Sequence, residues 1–88
     1  MTKMKVLHIV RAINDARALE TAAEQASQGH RVTVLLLHDA VLGAAPKSVT
    51  AIACEDDVLA RGGRSRFSTA GYDAIVRMIF EHDKVVAW

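Results

Sequence analysis

The chain has 88 residues, a formal net charge of +1 and 51% apolar residues, with one cysteine and 24% charged residues of both signs. That length fits one domain, which buries only about 60–65% of the surface that its unfolded chain would expose. The interspersed charges argue against an electrostatic nucleic-acid or membrane binder, and a lone cysteine excludes an internal disulfide framework.

In chain order, Lys5 to Val10 is a short, nearly continuous apolar run, which predicts a strand buried on both faces. It is too short for a signal-peptide core or a membrane span. Asn14 and Asp15 offer a cap for a helix over Arg17 to Gln28, where Leu19, Ala22, Ala23 and Ala26 share one face. Gly29 ends it. Arg31 to Leu37 predicts a second buried strand ending at His38 and Asp39. A short helical piece is expected over Asp39 to Ala45, broken by Pro46. Lys47 to Ala53 predicts a third strand, and Glu55 to Arg61 a short helix in which Asp56 or Asp57 caps the first turn and Gly62 follows the last.

Residues 62–71 read as a loop, with a short strand near Phe67. Ser68 or Thr69 is expected to cap a final helix from Gly71 to His82. Its residues Tyr72, Ile75, Val76, Met78, Ile79 and Phe80 exceed one apolar stripe, so one side should meet a partner subunit. Val85 to Trp88 predicts a terminal strand. Strands and helices alternating through short connections imply an α/β fold: a small three-layer sandwich with a mostly parallel sheet of about five strands, forming one domain over residues 1–88. The apolar excess points to an oligomer.

The chemistry-bearing candidates converge on one edge. Cys54 stands where the third strand hands over to the acidic helix, a position that suits either a reactive thiol or a small buried hydrophobe. Glu55, Asp56 and Asp57 oppose a thiolate there. Arg61 is about 10 Å along the helix by its rise per residue, too far to touch the sulfur. Arg11 and His38 each follow a strand and should reach the same carboxyl edge. His38 with Asp39 reads as an acid–base pair or as a turn. His8 reads as a core or interface residue. The histidines show no metal-ligand spacing, and there is no phosphate-binding glycine motif, so no metal or cofactor is expected. Arg61, Arg64 and Arg66 form a solvated loop or a docking surface.

Several segments together resemble the DsrE/DsrF/DsrH-like sulfur-relay family, nearest its DsrH/TusB branch. They are Met4-Lys5-Val6-Leu7-His8, Leu35-Leu36-Leu37-His38-Asp39-Ala40-Val41, Glu55 to Gly62, and a helix leading to Ala87-Trp88. The resemblance implies a five-stranded α/β sandwich, assembly into homo- or hetero-oligomers, and sulfur transfer in the cytoplasm, toward tRNA 2-thiouridine or in sulfur oxidation. It implies Cys54 as the persulfide carrier, because catalytic DsrE-type members place a cysteine seven residues before an Arg-Gly pair, as Cys54 stands before Arg61-Gly62. DsrH-type subunits have an apolar residue there, so the body resembles one branch and the thiol the other. The resulting expectation is a sulfurtransferase subunit acting between sulfur donor and acceptor proteins, with Cys54 as the catalytic residue and His38, Arg11 and Asp39 in support. No membrane partner and no direct tRNA contact are expected. The alternatives are a non-catalytic subunit of a DsrEFH/TusBCD-like complex, or a small-molecule-binding module.

Overall fold

The computed structural model describes residues 3–88. Its elements are β1 (Lys5–Val10), α1 (Ala16–Ser27), β2 (Arg31–Leu36), a 3-10 helix (His38–Leu42), β3 (Thr50–Cys54), α2 (Glu55–Ala60), β4 (Ser68–Ala70), α3 (Tyr72–Glu81) and β5 (Lys84–Ala87). All the strand pairings are parallel, and the sheet runs β4-β3-β2-β1-β5. This is the expected α/β architecture.

The order of the strands explains the layers. From β1 to β4 the chain steps across the sheet in one direction, so right-handed crossovers put every connection on one face. Residues of α1, the 3-10 helix and α2 (Ala18, Ala22, Ala40, Val41 and Val58) accordingly share one buried cluster with Val10, Val34, Leu36 and Ala53. The step from β4 to β5 runs back across the whole sheet, and the same handedness sends α3 to the other face. That face carries Leu7 and Leu35, both fully buried.

One helix cannot cover it. The ten residues of α3 span about 15 Å on a cylinder about 10 Å wide, whereas five strands at about 4.8 Å spacing make a face about 19 Å across. No residue of α3 is buried, and Tyr72 and Phe80 are 77% and 83% exposed. Val85 on β5 is exposed as well. The excess apolar surface expected over residues 72–80 is therefore present.

Several boundaries differ from the sequence-based expectation. β3 starts at Thr50, and Lys47 to Val49 lie outside it. The helical piece after His38 is a single 3-10 helix ending at Leu42, with Ala40 and Val41 packed into the core. Ser68 and Thr69 do not cap α3, because they form edge strand β4 beside β3 and leave Gly71, which has no side chain to offer, at the N-cap. Asp15 caps α1 as expected, its Oδ1 accepting from the Ala18 amide at 3.2 Å.

Among the described residues His8, in the middle of β1, is the one fully buried polar side chain. The indole N–H of Trp88 donates to His8 Nδ1 at 2.9 Å, and His8 Nε2 meets Gln25 Oε1 of α1 at 2.6 Å. An indole nitrogen only donates and an amide oxygen only accepts, so His8 Nδ1 is the acceptor and Nε2 the donor. The Trp88 backbone amide bonds the Ile9 carbonyl at 2.9 Å, so the residue after β5 is tied to β1 twice. Trp88→Phe keeps the ring and strands a buried Nδ1. We expect a loss of ~1–3 kcal/mol in urea unfolding, the usual cost of an unpaired buried acceptor.

Candidate functional site at the carboxyl edge

Cys54 is the last residue of β3 and the N-cap of α2, and it is partly exposed. It makes no side-chain cap bond to the helix. The three acids that follow do not share one task either. Asp57, in the first turn of α2, accepts the His38 backbone N–H on Oδ2 at 2.8 Å. The expectation that Asp56 or Asp57 caps α2 is thus corrected for Asp57, whose carboxylate bridges from the β3–α2 junction to the end of β2.

His38 needs such a tie. Its φ is +51°, a left-handed conformation that an L residue rarely adopts without support. The carboxylate holds the strained residue by its amide, while the Ala40 amide donates to the carbonyls of Leu37 and Arg11 at 3.0 and 3.2 Å. The turn after β2 is therefore clamped to both neighbouring strand ends. Non-glycine residues with positive φ cluster at functional sites, where surrounding contacts over-determine the backbone.

Arg61 closes the other side. Its Nη1 lies 3.6 Å from Asp57 Oδ1 and donates to the Asp57 carbonyl at 3.1 Å, while its Nε donates to Asp39 Oδ1 at 2.9 Å. The cation that meets the acidic cluster is thus Arg61, acting through Asp57. Arg11, favoured for that place from the sequence, instead donates from Nε to the Trp88 carbonyl at 3.1 Å. Among the described residues no hydrogen bond joins the His38 and Asp39 side chains; the Asp39 carboxylate accepts from Arg61 Nε instead.

The carboxyl edge therefore carries two adjoining groups. One is Cys54, Asp57, Arg61 and Asp39. The other is an open cleft of about 390 Å³ between Arg11, Ala12, Asp15, His38 and Trp88. His38 belongs to both: its backbone amide bonds Asp57, and the residue lines the cleft. Among the described residues no cluster of histidine, cysteine and carboxylate side chains has metal-binding geometry. Arg66 is absorbed structurally, donating to the Gly43 carbonyl at 2.9 Å. No described helix is long and apolar enough to cross a membrane. Neither a family model nor a curated protein sequence matches the chain.

Asp57 is the residue that sequence reasoning missed as part of the site. Its only sequence signal was its place three residues after Cys54, where a first-turn acid has an ordinary structural explanation. The His38 amide holds its carboxyl below the usual carboxylate range. Partial burial opposes this, while the Cys54 thiol and the charges of His38 and Arg61 add to it.

A depressed carboxyl stabilises the fold above its unfolded value of about 3.9, and that contribution is lost as pH falls through the lower folded value. Asp57→Asn should therefore lower stability at neutral pH and flatten the acid limb of a stability–pH curve. Urea midpoints between about pH 6 and pH 2 test this against the unfolded-state reference. An acid limb identical to that of the unmodified chain would show that the bridge is not ionic.

Proposed function

We propose that this chain is a subunit of a sulfur-relay assembly in which Cys54 carries sulfur as a persulfide. The observation that carries the reading is the place of the single cysteine. It sits partly exposed at the carboxyl end of β3, where ligands of parallel α/β sheets bind, and Arg61 folds back onto the carboxylate beside it. In the reaction the Cys54 thiolate attacks the outer sulfur of a persulfide on a donor protein. A new S–S bond forms, the donor's S–S bond breaks, and the donor leaves as a thiolate. Cys54 then holds the sulfur as Cys–S–SH and yields it to an acceptor thiol by the same exchange. The thiol proton passes to solvent, because Asp57 is held ionised by the His38 amide and is a weak base.

The α3 and β5 surface fits assembly with a further subunit. Tyr72, Phe80, Ile79 and Val85 are exposed together on the thinly covered side of the sheet, and an apolar patch of this kind marks an interface. Replacing Phe80, 83% exposed and making little internal contact, by Glu should leave the fold intact and reduce the sedimenting species to a monomer.

A second reading has its own support. The Asp57 carboxylate beside the sulfur repels a second negative charge there, which suits a subunit that completes a complex without carrying sulfur. Intact mass separates the two. A carrier gains one sulfur atom from a persulfide donor and loses it on reduction. Cys54→Ser abolishes the gain and retains assembly. A chain that gains nothing, and whose Cys54→Ser form still supports its partners in sulfur transfer, is the structural subunit.

A further inference from the structure

The opposite end of the sheet carries a feature that neither the fold nor the thiol site requires. Lys5 of β1 and Arg31 of β2 are register partners in the parallel pairing, so their side chains leave adjacent strands on the same face. Like charges placed directly opposite each other destabilise a sheet. No ion pair among the described residues relieves this repulsion. Among the described residues both ion pairs belong to Arg61, and neither Lys5 nor Arg31 takes part in one. The Asp83 carboxylate, which lines an adjacent recess with Lys5 and Arg31, accepts the Lys5 backbone amide on Oδ2 at 2.8 Å. Compensation of helix carbonyls explains Lys3, whose Nζ donates to the Gln28 carbonyl at 2.7 Å, but it does not explain Lys5 or Arg31.

The two cations open onto a concavity of about 470 Å³. Lys47 enters it from the loop before β3, together with the hydroxyls of Ser48 and Thr50, and no carboxylate lines it. His30 adds a directed donor. Its Nδ1 accepts the Met4 amide at 3.1 Å, so the ring proton sits on Nε2. Two ammonium groups, a guanidinium, two hydroxyls and an imidazole N–H offer more donors than the two oxygens of a carboxylate can accept. They suit the three terminal oxygens of a phosphate group. The volume lies within the ~300–1,000 Å³ range of small-molecule sites, which leaves room for an organic group beyond the phosphate.

We infer that the amino edge of the sheet, at Lys5, Arg31 and Lys47, is a binding site for a phosphate-bearing anion. It lies at the far end of the strands from Cys54 and is independent of the sulfur chemistry. Binding offsets the Lys5–Arg31 repulsion, so the ligand stabilises the fold by linkage.

The test is an amide NMR titration of the full chain with inorganic phosphate and, separately, with a nucleoside monophosphate, at ionic strength held constant with chloride. The expected result is a saturable shift confined to Lys5, residues 30–33, residues 47–50 and His82, which line the cavity, weakened about tenfold or more by either Arg31→Gln or Lys47→Gln, since each removes a charge-assisted hydrogen bond. Both positions are exposed, so these variants fold. Arg31→Gln should also be no less stable than the unmodified chain in phosphate-free buffer. Tighter binding of the monophosphate assigns the site to a phosphate monoester, and equal binding assigns it to free phosphate. A drift that does not saturate, or that spreads over the surface, overturns the site. So does saturable binding that both substitutions leave unchanged. Cys54→Ser should bind as the unmodified chain does, so failure of the persulfide reading leaves this result untouched.

Discussion

The arrangement of the carboxyl edge depends on one hydrogen bond, from the His38 backbone amide to the Asp57 carboxylate. It joins the end of β2 to the first turn of α2, and it restrains a left-handed residue whose relaxation would move the cleft wall. The same carboxylate faces the Cys54 thiol and draws Arg61 back along the helix. Arg61 in turn holds Asp39. The exposed Arg61–Asp39 pair is worth little in stability, about 0–1 kcal/mol, so its use is positional. Without Asp57, the His38 turn and the Cys54 junction would lose the carboxylate that joins them.

The two ends of the sheet have contrasting electrostatics. At the carboxyl edge Asp57, Asp39, Arg61 and Arg11 all have partners: Asp57 with His38 and Arg61, Asp39 with Arg61, Arg11 with the Trp88 carbonyl. At the amino edge Lys5 and Arg31 face each other without an ion-pair partner among the described residues. Paired charges fix geometry, whereas unpaired like charges raise a local potential that an anion lowers. The fold therefore supports a small, shaped nucleophile site at one end and an electropositive recess at the other.

Much of the fold was legible because the central strands are buried on both faces and so read as apolar runs, Val6 to Val10 and Val32 to Leu36. Asp15 and Gly29 marked the ends of α1 by local chemistry alone, a side-chain cap and a φ of +92°. β4 was hard to read, because a three-residue edge strand with two exposed polar positions carries no periodicity. The site was legible as an edge and not as a network. Strand endings placed Cys54, His38 and Arg11 together, but the partner of Asp57 is a backbone amide nineteen residues away, which no side-chain pattern announces. The same limit applied to His8, whose ring nitrogens find their partners in Gln25 and in an indole eighty residues further on.

The strand order also governs how the chain assembles as it is made. β1 to β4 line up outward in the order in which they are synthesised, each beside its predecessor, but β5 must dock on the far side of β1. Until residues 84–88 are available, the outer edge of β1 keeps its backbone groups unpaired and His8 lacks the indole that satisfies it. A chain in which β5 has yet to dock therefore has four strands in place and one open, apolar flank, the kind of flank that recruits a wrong strand from a neighbouring chain. Quality control in the cell would meet this protein at that stage, and variants that weaken β5 or Trp88 would be cleared for prolonging it, whatever their effect on the thiol.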